Sequence, residues 1–121
     1  KEYYHNICIL FHIFYSFFDI LNLANNHSMD YGPDALIDTI KVLKENDIIP
    51  IGAGKNLAEA KKGAIIELKN IKAGFLAYTL LLAKSWIVRK SSPGVCPAYN
   101  KYIKEGIKNM KQNTDIVVVF F

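Results

Sequence analysis

Between Phe17 and Glu45 the chain passes from a short apolar run, through a polar turn, into an amphipathic helix, and this order constrains the fold more than any other stretch. The run Phe17-Phe-Asp-Ile-Leu-Asn-Leu23 suits a buried strand, with Phe18–Leu23 predicted extended. Ala24-Asn-Asn-His-Ser-Met-Asp-Tyr-Gly32 is polar and turn-forming. Pro33 then stands where a helix accepts proline, in its first turn, and Asp34 favours a helix N-terminus. Leu36, Ile40 and Leu43 recur at helical spacing, with Ile37 widening the stripe, while Asp38, Lys41, Lys44 and Glu45 take the other face. Asn46 suits the helix end. A buried strand that feeds a helix through a tight loop is the building unit of α/β sheets. Ligands of such sheets sit outside the carboxyl ends of the strands, the kind of position that Ala24–Gly32 occupies.

The remainder repeats the alternation. Ile48–Ile51 reads as a strand, and its Pro50 points to a strand end or an edge. Gly52-Ala-Gly54 reads as a turn, and Asn56 can cap a short helix over Leu57–Lys62. Ala64–Lys69 and Ile71–Tyr78 flank Asn70 and predict a β-hairpin. Leu80–Ala98 reads as a long irregular stretch carrying Trp86, Arg89 and the turn Ser92-Pro-Gly94. A last helix over Lys101–Lys111 puts Ile103, Ile107 and Met110 on one face, with Gly106 as its weak point. Asp115 opens a final strand through Val119. Leu36, Ile40, Leu43, Ile103, Ile107 and Met110 are expected to be buried on the sheet. A flavodoxin-like binding module is disfavoured, because a hairpin and a long loop stand where that fold needs another strand–helix pair.

At 121 residues, 51% hydrophobic and 21% charged, the chain fits one globular domain with a real core. The net charge of +4 is modest. Its lysines fall in two helical patterns and read as solvated faces, and no interleaving of basic and aromatic residues supports nucleic-acid binding. Cys8 and Cys96 lie far apart without metal-ligand spacing and read as ordinary thiols. The apolar segment Ile7–Leu23 is interrupted by His12, Ser16, Asp19 and Asn22, short of the ~20 apolar residues of a membrane span. It also lacks the flanks of a signal peptide. The chain begins at Lys1 and stops at Phe121 inside the run Ile116-Val-Val-Val-Phe-Phe121, so both ends read as cut.

Asn25-Asn26-His27 is the sharpest chemical feature. An asparagine amide oxygen is a neutral hard ligand for a divalent cation. An adjacent histidine can hydrogen-bond a phosphoryl oxygen or pass a proton to a leaving group. Both residue types are also ordinary turn formers and helix caps, so the tripeptide alone favours a structural role. Asp30 could orient His27 or hold a loop N–H. Gly52-Ala-Gly54-Lys55-Asn56 invites a phosphate-loop reading, yet Ile49 stands where that motif demands glycine and Asn56 where it demands Ser or Thr. A turn and helix start is the better reading. His5 and His12 have no acidic partner at useful spacing.

Asp19-Ile-Leu-Asn-Leu-Ala-Asn-Asn-His-Ser-Met-Asp-Tyr-Gly32 resembles the central signature of CapA-type capsule (poly-γ-glutamate) synthesis proteins. The likeness continues through Leu36–Ile40, Ile51–Ala60, Phe75–Thr79, Ser92–Val95 and Asp115–Val119, covering about Phe17 to Val119. Residues 1–16 form an unmatched aromatic segment, and residues 17–121 a partial CapA-like domain. The resemblance implies part of an α/β/β/α sandwich like that of calcineurin-type metallophosphoesterases, truncated at both ends. It implies that Asn26 ligates metal and that His27 is the acid or phosphate contact, with Asn25 and Asp30 in support. For the complete protein it implies manganese, zinc or magnesium. This chain is expected to hold none, because the family's early Gly-Asp motif and its later histidines are missing. It further implies work with other capsule-synthesis proteins and an anionic polymer at the extracytoplasmic face of the cell envelope, with membrane attachment through sequence not present here. The alternative is a non-catalytic structural subunit of the same machinery.

Overall fold

A computed structural model describes residues 18–121. The readings for His5, Cys8, His12 and the aromatic segment 1–16 lie outside the described residues. In chain order the elements are β1 (Ile20–Asn22), α1 (Gly32–Glu45), β2 (Ile49–Ile51), β3 (Ala53–Gly54), α2 (Leu57–Lys61), β4 (Ala64–Leu68) and β5 (Ile71–Ala77). A 3-10 turn at Lys84–Trp86 follows, then β6 (Gly94–Val95), α3 (Asn100–Lys111) and β7 (Ile116–Phe120).

β1 and β2 are parallel, with Ile20 opposite Ile49 and Asn22 opposite Ile51, so β1–α1–β2 is the crossover unit expected from the sequence. Pro33 sits in the first turn of α1, and Leu36, Ile40 and Leu43 are buried. Asn46 closes the helix: its N–H donates to the Leu43 carbonyl, the Asp47 N–H donates to the Lys44 carbonyl, and the Asn46 side-chain amide donates to Val42 O at 2.6 Å.

β4 and β5 form the expected hairpin. Lys69 and Asn70 have φ of 50° and 66°, the double left-handed conformation that a two-residue turn of this twist requires. β7 lies parallel on the other side of β5, giving the order β4-β5-β7. The hydrophobic face of α3 covers this sheet, packing Ile103, Ile107 and Met110 with Leu76, Val117 and Val119. Met110 is buried, whereas Ile103 and Ile107 are half-buried, less than the helical stripe suggested. A second cluster joins Ala24, Met29, Leu36, Ile40 and Ile51 to Ala64 and Ala77, and so ties the β1–α1–β2 unit to the hairpin.

Leu80–Ala98 is largely irregular, as expected, and is pinned by single bridges: Thr79 bridges Pro97, Ile87 bridges Val95 and Arg89 bridges Ser92, while β6 pairs antiparallel with β3. Two local expectations are corrected. Gly52 makes the bend with φ of 81°, but Ala53-Gly54 continues as that short strand rather than as a turn. Gly106 is not a weak point but a packing position, buried against the side chains of Tyr78 and Leu76. Asn56 caps α2 as expected, accepting the Glu59 N–H at 3.0 Å. Glu59 in turn accepts the Lys55 N–H at 2.8 Å and pairs with Lys44 of α1.

Candidate functional site

The loop 24–31 leaves the sheet where three strand ends converge. A Cβ on Gly52, just after β2, would stand 2.5 Å from Ala24 Cβ and 2.9 Å from Ala77 Cβ. Ala24 begins the loop after β1, and Ala77 ends β5. The loop is thus mounted at the carboxyl ends of strands, where α/β sheets place their ligands.

Short side chains fix its path. Asn22 Oδ1 accepts the Ala24 N–H at 2.7 Å, and the Leu23 carbonyl accepts the Asn25 N–H at 2.9 Å and the Ser28 hydroxyl at 2.7 Å. Asn25 Oδ1 accepts the His27 N–H at 2.9 Å, a side-chain turn of the kind asparagine favours. Met29 is buried in the core and acts as the loop's apolar anchor. Asn25, Asn26, His27 and Asp30 are all exposed.

The structure brings His27 and Asp30 together: Nδ1 lies 2.9 Å from Asp30 Oδ2. This contact makes Nδ1 the protonated nitrogen and leaves Nε2 with the lone pair, which faces the Asn26 amide. The His27 side chain is 75% exposed and Asp30 42%, so the imidazole is held in orientation yet open to a ligand. Asn26 Nδ2 lies 3.4 Å from His27 Nε2, which turns the amide oxygen of Asn26 away from the ring. Of the sequence-level candidates, Asn26, His27 and Asp30 therefore form one cluster, while the side chain of Asn25 is used to shape the turn.

Trp86 packs half-buried on the core cluster that contains Ala24 and Met29. Arg89 contributes its backbone, accepting the Leu57 N–H at 2.8 Å, and its side chain is exposed. Lys55–Asn56 serves the start of α2, in keeping with the rejected phosphate-loop reading. Sequence reasoning missed Asn22 and Ser28 as loop-setting residues. Their polar side chains on either side of Leu23–Ala24 were the available signal.

A divalent cation takes several oxygen or nitrogen donors. Here the Asn26 amide oxygen and His27 Nε2 have the right donor chemistry, and the Asp30 carboxylate already serves His27. Among the described residues no group of three or more His, Cys, Asp or Glu side chains is gathered as metal ligands. The loop can contribute to a cation site without completing one.

The mixture of helices and strands is that of a partial α/β fold, and the family that this chain matches belongs to the metallophosphoesterase-like group. The chain belongs to the bacterial capsule synthesis protein PGA_cap family, whose family model matches residues 11–121. It is 36% identical over 103 residues to a PGA biosynthesis protein CapA of Bacillus subtilis, covering 84% of this chain and 27% of that protein. It is 35% identical over 106 residues to a capsule biosynthesis protein CapA of Bacillus anthracis, covering 84% and 26%. A probable polyglutamine synthesis accessory protein of Mycobacterium tuberculosis is 35% identical over 77 residues, covering 60% and 20%. The chain thus spans about a quarter of the length of the Bacillus relatives it matches. Among the described residues no helix is long and apolar enough to cross a membrane.

Proposed function

We propose that the protein serves the synthesis of a polyglutamate-type capsule polymer at the cell envelope, and that loop 24–31 forms one corner of a site handling a phosphorylated or polyanionic envelope substrate. The observation that carries this reading is the His27–Asp30 contact at 2.9 Å, which orients an otherwise exposed imidazole. An imidazole so held can accept a hydrogen bond at Nε2, or once protonated there can donate to a phosphoryl oxygen or a leaving group. Asn26 would offer its amide oxygen to a divalent cation, and Asp30 would stabilise positive charge on the ring. A bound cation would supply Lewis-acid polarisation of the phosphoryl oxygen. The reading extends to a place on the extracytoplasmic side of the membrane beside other polymer-synthesis proteins, supported by the family and by the names of its relatives.

The test is complementation of a polymer-producing host that lacks its own relative, using the whole protein. Asn26→Ala and His27→Ala are each expected to abolish polymer yield while leaving folding stability within about 1 kcal/mol, as for exposed loop side chains. Full yield from both variants would overturn the site and favour a non-catalytic subunit of the machinery.

A further inference from the structure

The open groove between α2 and α3, on the flank of β4, has a volume of about 870 Å³ and lies apart from loop 24–31. Leu76 and Met110 form its apolar floor, Asn109 and Asn113 line one wall, and Lys62 and Lys90 stand at its rim. Lys61 also lines it, but its ammonium is committed to Glu105 at 2.7 Å and to the Tyr102 ring at 4.6 Å. Among the described residues Lys62 and Lys90 make no salt bridge, and no carboxylate lines the groove.

From this juxtaposition we propose that the groove between α2 and α3 binds a strand of acidic polyamide, with Lys62 and Lys90 receiving its carboxylates. The argument is charge complementarity combined with a matching pattern of polarity. A polymer of acidic residues presents three chemistries in repeat: carboxylates, amide groups and methylenes. Two uncommitted ammonium groups suit the first, because pairing them costs no existing ion pair. The Asn109 and Asn113 side chains each offer an amide donor and an acceptor to the second. The Leu76–Met110 floor takes the third. A sulfated polysaccharide would meet the same lysines but would waste the apolar floor and the amide wall. This inference rests on the proposed role in polyglutamate synthesis and adds a site to it.

The test uses the 121-residue chain and fluorescein-labelled poly-γ-glutamate of defined length, followed by anisotropy. Binding is expected to weaken with added salt, since the contacts are exposed charge pairs. Lys62→Gln combined with Lys90→Gln should weaken it about tenfold, two exposed pairs together being worth roughly one decade. Lys62→Arg with Lys90→Arg should retain it. Lys104→Gln, an exposed lysine of α3 outside the groove, should leave it unchanged. Circular dichroism melting of each variant confirms that folding is intact. Equal loss from Lys104→Gln, equal binding of dextran sulfate, or no binding of the polymer would overturn the groove assignment. Each of these results leaves the complementation result for His27 standing, so the two readings fail separately.

Discussion

Tyr78 and Gly106 meet hydroxyl against backbone: a Cβ on Gly106 would stand 2.2 Å from Tyr78 Oη, which donates to the Tyr102 carbonyl at 3.1 Å. Glycine within a helix ordinarily costs about 1 kcal/mol relative to alanine. Here the close approach reverses the sign. Gly106→Ala is expected to lower stability by about 1–3 kcal/mol, the usual cost of overpacking, as read from urea denaturation. Adding Tyr78→Phe removes the obstructing oxygen, so the double variant should be more stable than Gly106→Ala alone. Simple additivity of the two losses would mean that the groups do not clash.

The contrast between Gly106 and the α1 stripe shows what the sequence could and could not convey. Leu36, Ile40 and Leu43 were legible because helical periodicity is local, as was a hairpin turn at Asn70, although Lys69 reads as strand in the sequence and joins the turn in the structure. The order of elements followed from the same signals. Pairing of Ala53-Gly54 with Gly94-Val95 was not legible, since two-residue strands carry no periodicity and their contact spans some forty residues of chain. The role of Gly106 likewise depends on Tyr78, in another element. At the site, the Asn-Asn-His tripeptide was visible and the Asp30 contact was one of two roles considered for it. Which asparagine shapes the turn and which remains available needed the hydrogen bonds of Asn25 and Asn26.

Gly52 links fold to site most directly. It has φ of 81°, and a Cβ there would press on both Ala24 and Ala77. Neither neighbour has a flexible side-chain end that can swing away. Gly52→Ala is therefore expected to cost about 2–4 kcal/mol, combining left-handed strain with overpacking. Because Ala24 begins the loop, polymer yield in the complementation assay should fall even at a temperature where the variant stays folded. A variant with unchanged melting and full yield would show that the three strand ends are not tightly joined.

The second core carries an alkaline liability. Burial pushes the Cys96 thiol from an ordinary 9.0 up to about 12, with Lys61 pulling weakly the other way. Burial, with Cys96 and Glu105 nearby, raises the Tyr78 phenol from 10.0 to about 12. Both groups are neutral when protonated, and the folded state holds those protons more tightly than the unfolded chain. Their contribution is complete below pH 9.0 and is lost as pH rises towards about 12. Denaturant midpoints are expected to fall across that window. Cys96→Ala should flatten the early part of the decline, at a cost of about 1 kcal/mol near neutrality from the small cavity. A midpoint that stays level to pH 11 in the parent chain would contradict the burial of both groups.

Asp30 is expected to act through His27, and its replacement should be visible in the imidazole itself. The contact from His27 Nδ1 to Asp30 Oδ2 holds the ring in the tautomer with its proton on Nδ1. Nitrogen-15 chemical shifts of the chain, with His5 and His12 replaced by glutamine so that His27 is the remaining histidine, would report which nitrogen carries the proton. The parent ring should show a protonated Nδ1. Asp30→Asn keeps an acceptor oxygen and should preserve that pattern, whereas Asp30→Ala removes it and should release the ring to a mixture of tautomers. In the whole protein, Asp30→Ala is expected to lower polymer yield by about 10–100-fold, the usual range when an orienting partner is lost, and Asp30→Asn to lower it less. A purely structural Asp30 would change stability while leaving the His27 shifts alone. An unchanged tautomer in Asp30→Ala would remove the positioning role, because no other side chain within the described loop reaches Nδ1.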